Sequence, residues 1–250
     1  MEDLRQENFA DLVRSGQSMM WRAGELIHLN SCYAPTVDDE LIPEHPIAAF
    51  ENGNQHQIPL LIGTNSDEAS FGKFLFQRQS SRERAALRLL ASFDPQHAPE
   101  VVAAYDGAVA REDFAHLLAD ALFWAPSTRI ATAHAKVAPT WMYRFDFASA
   151  VLKWLGLGAM HSMELGNVFG DPYSSHASFL TNWGSRAEME ELTATMQQHW
   201  SAFIHGGRPE MSWPRYGSTQ RATMIFDAEA YIEHAPVSYT HLTLPTKRIV

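Results

Sequence analysis

The sequence predicts an α/β fold, with a mostly parallel sheet and helices flanking it. Three short apolar or aromatic segments have the character of strands, and helical patterns separate them. This alternation along a chain is typical of α/β proteins with a parallel sheet. The 250 residues, of which 46% are hydrophobic, are enough to build a sizeable core. Residues 1–236 contain no internal repeat and no low-complexity linker, so we expect one structural unit.

Three segments predict the strands. Gln57–Asn65 is a continuous apolar run that stops near Gly63, and such runs suit a strand buried on both faces of a parallel sheet. Pro139–Phe147 alternates bulky and polar residues and is rich in aromatic side chains, which favours a second strand. Ala222–Asp227 is a third, shorter candidate.

Helical patterns fill most of the remaining chain. Pro126 must kink the longest of them or start it afresh, because proline lacks the backbone N–H that a helix interior uses. The last pattern is amphipathic and ends on a glycine pair that can supply a left-handed cap. The predicted helices are Ser81–Phe93, Pro99–Val109, Glu112–Val137 and Arg186–Gly207.

Composition excludes several classes of function. The net charge of −10 argues against nucleic acid as a partner, because phosphate binding needs a basic surface. No apolar run approaches the roughly 18 residues that a membrane span requires, and the charged N-terminal stretch does not have the pattern of a signal peptide. The single cysteine, Cys32, cannot form an intrachain disulfide, so nothing in these residues demands an oxidising compartment. A cytoplasmic location is favoured, and any signal peptide would lie in an N-terminal half that is missing here.

The C-terminal stretch 237–250 differs in character from the acidic, aromatic-rich sequence before it. It is rich in threonine, lacks helical periodicity and resembles translated adapter sequence. We therefore interpret 237–250 as a non-native tail and leave it out of the fold prediction. The alternative is a genuine C-terminal strand.

Chemically reactive side chains follow the first two predicted strands. Asp67 and Glu68 come directly after the first strand, and His161 follows the second after a further segment. Functional groups of open α/β sheets gather at the carboxyl ends of the strands. An acid followed along the chain by a histidine is also the order found in α/β-hydrolase triads.

The same two segments resemble a known family. IPLLIGTNSDEASF, residues 58–71, and GAMHSMELGNVFG, residues 158–170, are similar to the acid and histidine motifs of type B carboxylesterases, the family of bacterial para-nitrobenzyl esterases and cholinesterases. Supporting stretches occur in the same order, among them YAPTVDDELIPEHPIAAFENG before the acid and WSAFIHGGRPEMSWPRYG after the histidine. The resemblance covers Tyr33 to Asp227. The resemblance implies that residues 1–236 are the C-terminal portion of an α/β-hydrolase fold and that this fold is incomplete.

The resemblance also implies roles for individual residues. Glu68 matches the catalytic acid, His161 matches the catalytic base, and Glu164 is either a carboxylate that supports the base or a helix-surface acid. Aromatic and methionine side chains near these motifs either line a substrate pocket or belong to the core, and their residue types favour the core. These residues are Phe71, Phe74, Phe123, Trp124 and Met160. The histidines show no metal-ligand spacing, so we expect no metal and no cofactor, with a small-molecule ester as the substrate.

One departure from the family pattern concerns the nucleophile. The family carries its serine in a G-x-S-x-G elbow upstream of the acid, and neither GQSMM at residues 16–20 nor EASFG at residues 68–72 has that form. The glycine-rich oxyanion loop is missing as well, and Ala69 stands where the family usually has glycine. Family members are about twice as long, so the sequence predicts a C-terminal fragment of a serine carboxylesterase, inactive alone and poorly soluble.

Two alternatives remain open at the level of sequence. In the first, the chain is a non-catalytic interaction module, like the adhesion proteins of the same fold family. In the second, it is an unrelated α/β domain in which the acid and the histidine never meet. The distance between the Glu68 carboxylate and the His161 ring distinguishes the second from the esterase hypothesis, because geometry defines a triad.

Overall fold

The computed structural model describes residues 6–20, 35–173 and 185–236. Cys32, His176 and the predicted tail 237–250 lie outside the described residues. Within the described ranges, no helix combines the length and the apolar character needed to cross a membrane.

One mixed sheet organises the described part of the chain. Its strand order is β1-β2-β3-β4, in which β1 pairs parallel with β2, β2 pairs parallel with β3, and β4 pairs antiparallel with β3. The predicted α/β class with a mostly parallel sheet is therefore confirmed, and β4 is a strand that the sequence pattern did not predict. The strands are β1 Leu60–Asn65, β2 Thr140–Phe145, β3 Ala222–Phe226 and β4 Ala230–His234.

Ten α-helices accompany the sheet in the described residues, with a 3-10 turn at Asp106–Ala108 and a π-helix at Asp120–Trp124. The predicted helix Pro99–Val109 is wrong in its second half, because the chain leaves the α-helix at Tyr105 and Gly107 adopts a left-handed conformation, φ 71°. The helices are α1 Phe9–Met20, α2 Pro46–Asn52, α3 Gly72–Leu75, α4 Gln79–Phe93, α5 Ala98–Ala104, α6 Arg111–Ala119, α7 Ala125–His134, α8 Ala150–Trp154, α9 Leu165–Val168 and α10 Arg186–Gly206.

Strand β1 is less buried than the sequence predicted. The sequence predicted a strand buried on both faces, whereas β1 is the outermost strand of the described sheet and its first four residues are only half-buried. Only β2 pairs with it there. Gly63 of β1 allows the ring of Tyr143 on β2 to lie over the strand, since a Cβ at Gly63 would stand 2.3 Å from that ring.

The two faces of β2 bury side chains against different helices. Alternate residues Trp141, Tyr143 and Phe145 pack with α10, while Met142 points the other way, toward α7 and Tyr216. This period of two is the geometry of a strand that is covered on both faces. Two layers of helices thus hold the carboxyl ends of β1 and β2 in a fixed position.

A nearly continuous helical segment changes its helix type immediately before Pro126. Ala125 donates its N–H to the carbonyl of Asp120, five residues earlier, so the chain forms a π-helix immediately before the proline. An extra residue in the turn avoids the clash between a proline ring and the carbonyl one turn back. The predicted kink is therefore present as a change of helix type between α6 and α7.

Helix α10 is the amphipathic helix that the sequence predicted. Its buried residues recur at helical spacing, and Gly207 adopts the left-handed conformation, φ 68°, that caps the helix end. The buried face contributes to the core cluster beside the sheet. Those residues are Met189, Leu192, Thr193, Met196 and His199.

Candidate active site

Two loops meet at the carboxyl ends of the parallel strands. The first, residues 66–71, follows β1 directly and is called here the acid loop. The second, residues 156–162, follows α8 and is called the histidine loop. Ser66 extends the sheet by one bond, donating its N–H to the carbonyl of Phe145 at 2.9 Å. The acid loop therefore leaves the sheet at a fixed position beside the end of β2.

Glu68 and His161 are in direct contact across this junction. The Nδ1 atom of His161 lies 2.6 Å from Oε2 of Glu68. The other carboxylate oxygen, Oε1, accepts the backbone N–H of Asn65 at 2.8 Å. Both oxygens of a buried carboxylate therefore have a partner, which offsets the cost of removing the charge from water. The alternative in which the acid and the histidine never meet is excluded.

The hydrogen bond fixes the chemistry of the histidine ring. An ionised carboxylate only accepts hydrogen bonds, so Nδ1 is the donor of this bond, and in the neutral ring Nε2 holds a free electron pair. The His161 side chain is 55% exposed while that of Glu68 is only 8% exposed. Within the described residues Nε2 has no hydrogen-bond partner. The ring is therefore anchored to the buried carboxylate through Nδ1, while more than half of the side chain is exposed.

Asp67 clamps the two loops together next to this pair. Its backbone N–H donates to the carbonyl of Ala159 at 3.1 Å, and its carboxylate accepts the N–H of Ala159, also at 3.1 Å. The same carboxylate accepts the hydroxyl of Ser66 at 2.8 Å. Asp67 thus joins the acid loop to the histidine loop at Ala159, two residues before His161.

Asn65, the last residue of β1, connects the acid loop to the residues on both sides of His161. Its side-chain amide donates to the carbonyl of Met160 at 2.6 Å and to the carboxylate of Glu164 at 2.7 Å. Sequence reasoning missed this residue. The available signal was its position, an amide at the carboxyl end of the first strand within the motif that carries the acid.

The histidine loop requires unusual backbone conformations. Gly156 and Gly158 have φ values of 66° and 61°, and Ser162, directly after the histidine, has φ 65°. A Cβ at Gly158 would stand 2.1 Å from the Asp67 carboxylate, so only glycine lets the two loops approach this closely. A left-handed serine carries strain that the surrounding contacts must hold.

The π-helix brings an aromatic ring against the histidine. The Phe123 ring centroid lies 5.0 Å from that of His161, at an interplanar angle of 46°. The hydroxyl of Tyr105 donates to the carboxylate of Asp120 at the start of the π-helix. This contact ties the widened turn to α5, and it thereby holds Phe123 beside the ring.

The other four candidate pocket residues differ from Phe123 in their exposure and in the contacts that they make. Phe71 and Phe74 are exposed, on the acid loop and on α3. Trp124 packs against the core cluster of Ala131 and Met142, so it occupies the core position that was the alternative for it. Met160 meets the site through its backbone carbonyl, which accepts from Asn65.

Glu164 lies within the site. It stands at the N-terminal end of α9, half-buried, where it accepts from Asn65. Burial, and next the charges of Glu164 and Glu68, raise the pKa of Tyr143 above its ordinary value. Tyr143 is therefore a neutral phenol beneath two carboxylates. The described residues contain no cluster of histidine, cysteine and acidic side chains that could hold a metal ion.

Comparisons with known proteins agree with this geometry. A model of the carboxylesterase family matches residues 1–238. The para-nitrobenzyl esterase of Bacillus subtilis is 32% identical over 212 residues, which cover 82% of this chain and 42% of that protein. Human carboxylesterase 3 is 26% identical over 233 residues, which cover 83% of this chain and 39% of that protein.

A solved structure has the same fold over most of the described chain. A PNB esterase superposes with a TM-score of 0.73 at 29% sequence identity, and the match covers 94% of this chain and 48% of that one. The chain therefore spans less than half the length of each of these three proteins.

Proposed function

Since the chain belongs to the carboxylesterase family, we propose that it acts in the hydrolysis of carboxylic esters. In this proposal Glu68 is the acid and His161 the base of a Ser-Glu-His triad. The serine and the oxyanion-hole donors come from a segment outside the 250 residues. The substrate is a small-molecule ester, and no metal or cofactor takes part.

The observation that carries the proposal is the 2.6 Å contact between Nδ1 of His161 and Oε2 of Glu68. A buried carboxylate on one ring nitrogen holds the imidazole in one tautomer and stabilises the cation that forms when the other nitrogen takes a proton. The His161 side chain is 55% exposed, and in this proposal the hydroxyl nucleophile approaches its Nε2 atom. A structural ion pair would not need this asymmetry between a buried acid and an accessible base.

The reaction has two stages, and in each of them Nε2 of His161 accepts a proton and then returns it. Nε2 of His161 takes the hydroxyl proton of the serine as its oxygen attacks the ester carbonyl, and then gives that proton to the departing alcohol. Water then attacks the acyl carbon and loses a proton to Nε2, which passes it to the serine oxygen as the acyl–oxygen bond breaks, so that the carboxylic acid leaves and the serine hydroxyl is restored. The Glu68 carboxylate stays ionised throughout, because it compensates the imidazolium charge without accepting the proton.

The acyl or alcohol part of the substrate lies against an apolar wall in this proposal. Phe123 is the ring closest to His161 in the described residues, with 5.0 Å between centroids. In the same proposal Phe71, exposed at the end of the acid loop, supplies a second apolar surface. The name of the Bacillus subtilis relative makes para-nitrobenzyl esters natural probes for this wall.

The test compares two proteins, the 250-residue chain and a version extended upstream through its natural open reading frame. Hydrolysis of para-nitrophenyl acetate and of a para-nitrobenzyl ester is measured for both. A fluorophosphonate, which labels activated serines, reports the nucleophile independently of turnover. We expect turnover and labelling in the extended protein only.

Substitutions then assign the roles. Glu68→Gln and His161→Ala are expected to abolish turnover in the extended protein. His205→Ala serves as the matched control, because this histidine is exposed near the end of α10 and lies in neither loop. Full activity of the 250-residue chain would place the nucleophile within it and refute the proposed division. Inactivity of both proteins would favour the non-catalytic interaction module.

A further inference from the structure

We propose that Asn65 is the positioning residue that sets the distance between the acid and the base. This inference rests on the proposed function, since it assigns a role within the same triad. The amide of Asn65 holds the chain on both sides of His161, and its backbone N–H holds Glu68. One residue thus fixes both ends of the Glu68–His161 contact.

The contacts of Asn65 reach three different parts of the site. Its backbone N–H donates to Oε1 of Glu68 at 2.8 Å, on the acid side. Its side-chain nitrogen donates to the Met160 carbonyl at 2.6 Å and to Oε2 of Glu164 at 2.7 Å, on the base side. Met160 immediately precedes His161 in the chain, and Glu164 follows it by three residues.

The chemistry of the side chain explains why an amide is needed. Both partners on the base side are acceptors, a carbonyl and a carboxylate, and an amide nitrogen has two hydrogens to give. Aspartate at this position would set a second carboxylate against Glu164 and leave Met160 without its donor. Asn65 is only 4% exposed, so water cannot replace the lost donors easily.

Asn65 and Asp67 hold the histidine loop at different points. Asp67 binds the backbone of Ala159, two residues before the histidine, whereas Asn65 binds at Met160 and again beyond His161. The Asn65 bonds therefore bracket the reacting residue. Asn65 is also the last residue of β1, so it links the position of the His161 ring to that of the sheet.

A donor–acceptor exchange tests the inference in the extended protein. Asn65→Asp creates two facing carboxylates, and the double variant N65D/E164Q restores a donor opposite an acceptor. With Glu164→Gln alone, the four proteins form a double-mutant cycle. We expect N65D to lower kcat on the order of 100-fold with little change in KM, as a displaced catalytic group does. The double variant should recover at least about ten-fold relative to N65D.

The matched control is Asn52→Asp. Asn52 also donates its amide to a glutamate, Oε2 of Glu44 at 2.9 Å, but this pair lies on the exposed side of α2. The same chemical change is thus made away from the site, and kcat should stay within about two-fold of the parent because exposed polar pairs contribute little.

A second measurement needs no turnover. In the upstream-extended protein, the proton on Nδ1 of His161 gives a downfield NMR signal if it is held by Glu68. We expect this signal in the parent chain and in N52D, and its loss by exchange in N65D and in Asn65→Ala. If N65A does not fold, judged by circular dichroism, the near-isosteric N65D carries the comparison.

The outcomes separate the two proposals. An unchanged Nδ1 signal in N65D, or unchanged kcat in a protein that still requires His161, would overturn the role of Asn65 and leave the triad intact. Full turnover of the Glu68→Gln and His161→Ala proteins would instead overturn the proposed function. Loss of the signal together with recovery of kcat in N65D/E164Q would support the positioning role.

Discussion

Two regions on the same sheet are held together by different interactions. The loop junction, formed by Asn65, the acid loop and the histidine loop, is polar, partly exposed and held by hydrogen bonds of 2.6–3.1 Å. The aromatic cluster against α10 is mostly apolar and is buried or half-buried, and its ring centroids lie 5.2–6.5 Å apart. It consists of Tyr143, Trp200, Trp213 and Phe226, with Trp141 and His199 at its margin.

The difference indicates that geometry and stability come from different parts of the molecule. A hydrogen bond adds only about 1 kcal/mol to the net free energy of unfolding, but it fixes distance and direction. Apolar burial fixes direction poorly and contributes about 25 cal/mol per Å². Changes in the loop junction should therefore impair chemistry more than folding, and changes in the aromatic cluster should do the reverse.

The largest effect should come from His161→Ala in the upstream-extended protein. Removal of the base is expected to lower kcat for ester hydrolysis by roughly 10⁴- to 10⁶-fold, the scale seen when a triad member is deleted. The free energy of unfolding, measured by urea denaturation, should change by only about 1 kcal/mol, because one half-exposed ring and one hydrogen bond are lost. A loss of several kcal/mol would show that the junction also stabilises the fold.

Phe226→Ala should produce the opposite pattern. The side chain is fully buried on β3 between Tyr143, Trp200 and Trp213. Its removal should cost about 3–5 kcal/mol of unfolding free energy, as large-to-small core changes do. At low temperature, where the variant is folded, the Nδ1 signal of His161 should persist. Phe93→Ala is the control, because this ring is exposed at the end of α4 and its loss should cost little.

Gly158→Ala should affect both properties at an intermediate level. The added Cβ would lie 2.1 Å from the Asp67 carboxylate, and the backbone has φ +61°. We expect a kcat loss of about 10- to 100-fold, because the histidine loop must move away from the acid loop. Urea denaturation should show a loss of about 1–3 kcal/mol from the strained conformation.

Gly156→Ala separates the effect of a left-handed backbone from the effect of a contact with Asp67. Gly156 has a similar conformation, φ +66°, but a Cβ there would meet no atom within 4 Å. Both variants therefore carry a left-handed alanine, and only one presses on Asp67. Equal kcat losses in the two variants would mean that the approach of the two loops is unimportant for the chemistry.

Sequence patterns located the elements that local chemistry determines. The apolar and aromatic runs predicted β1, β2 and β3, and the glycine pair predicted the end of α10. Strand β4 was missed because it is short and largely exposed, so its extended form depends on pairing with β3. The burial of β1 was overestimated because an apolar run does not report the order of strands, and β1 is outermost in the described sheet.

The candidate site divides in the same way. A motif identified Glu68 and His161, and their contact across 93 positions of sequence is a feature of the fold. Asn65 escaped notice because its partners, Met160 and Glu164, lie 95 and 99 positions away and no local pattern links them. The position of Phe123 depends on the π-helix that contains it. Pro126 alone does not specify this π-helix, because its first residue, Asp120, also accepts a hydrogen bond from Tyr105 of a separate helical segment.

The smallest effect concerns pH, and it arises in the aromatic cluster. His199 is buried on α10 with its ring 5.2 Å from that of Trp213. Burial lowers its pKa below the ordinary value of 6.5, although the charge of Glu210 opposes the change. The unfolded chain therefore binds a proton at a higher pH than the folded one, and the free energy of unfolding should fall as the pH decreases through 6.5.

Urea denaturation at pH 7.5 and at pH 5.5 should reveal this slope, and His199→Phe should reduce it while preserving an aromatic ring beside Trp213. The slope should not vanish, because burial also lowers the pKa of His116 on α6, which acts in the same direction. His205→Phe, on the exposed end of the same helix, should leave the slope unchanged. A steeper slope in His199→Phe would mean that the protonated ring is stabilised in the folded state, and that the aromatic cluster tolerates a charge as the loop junction does.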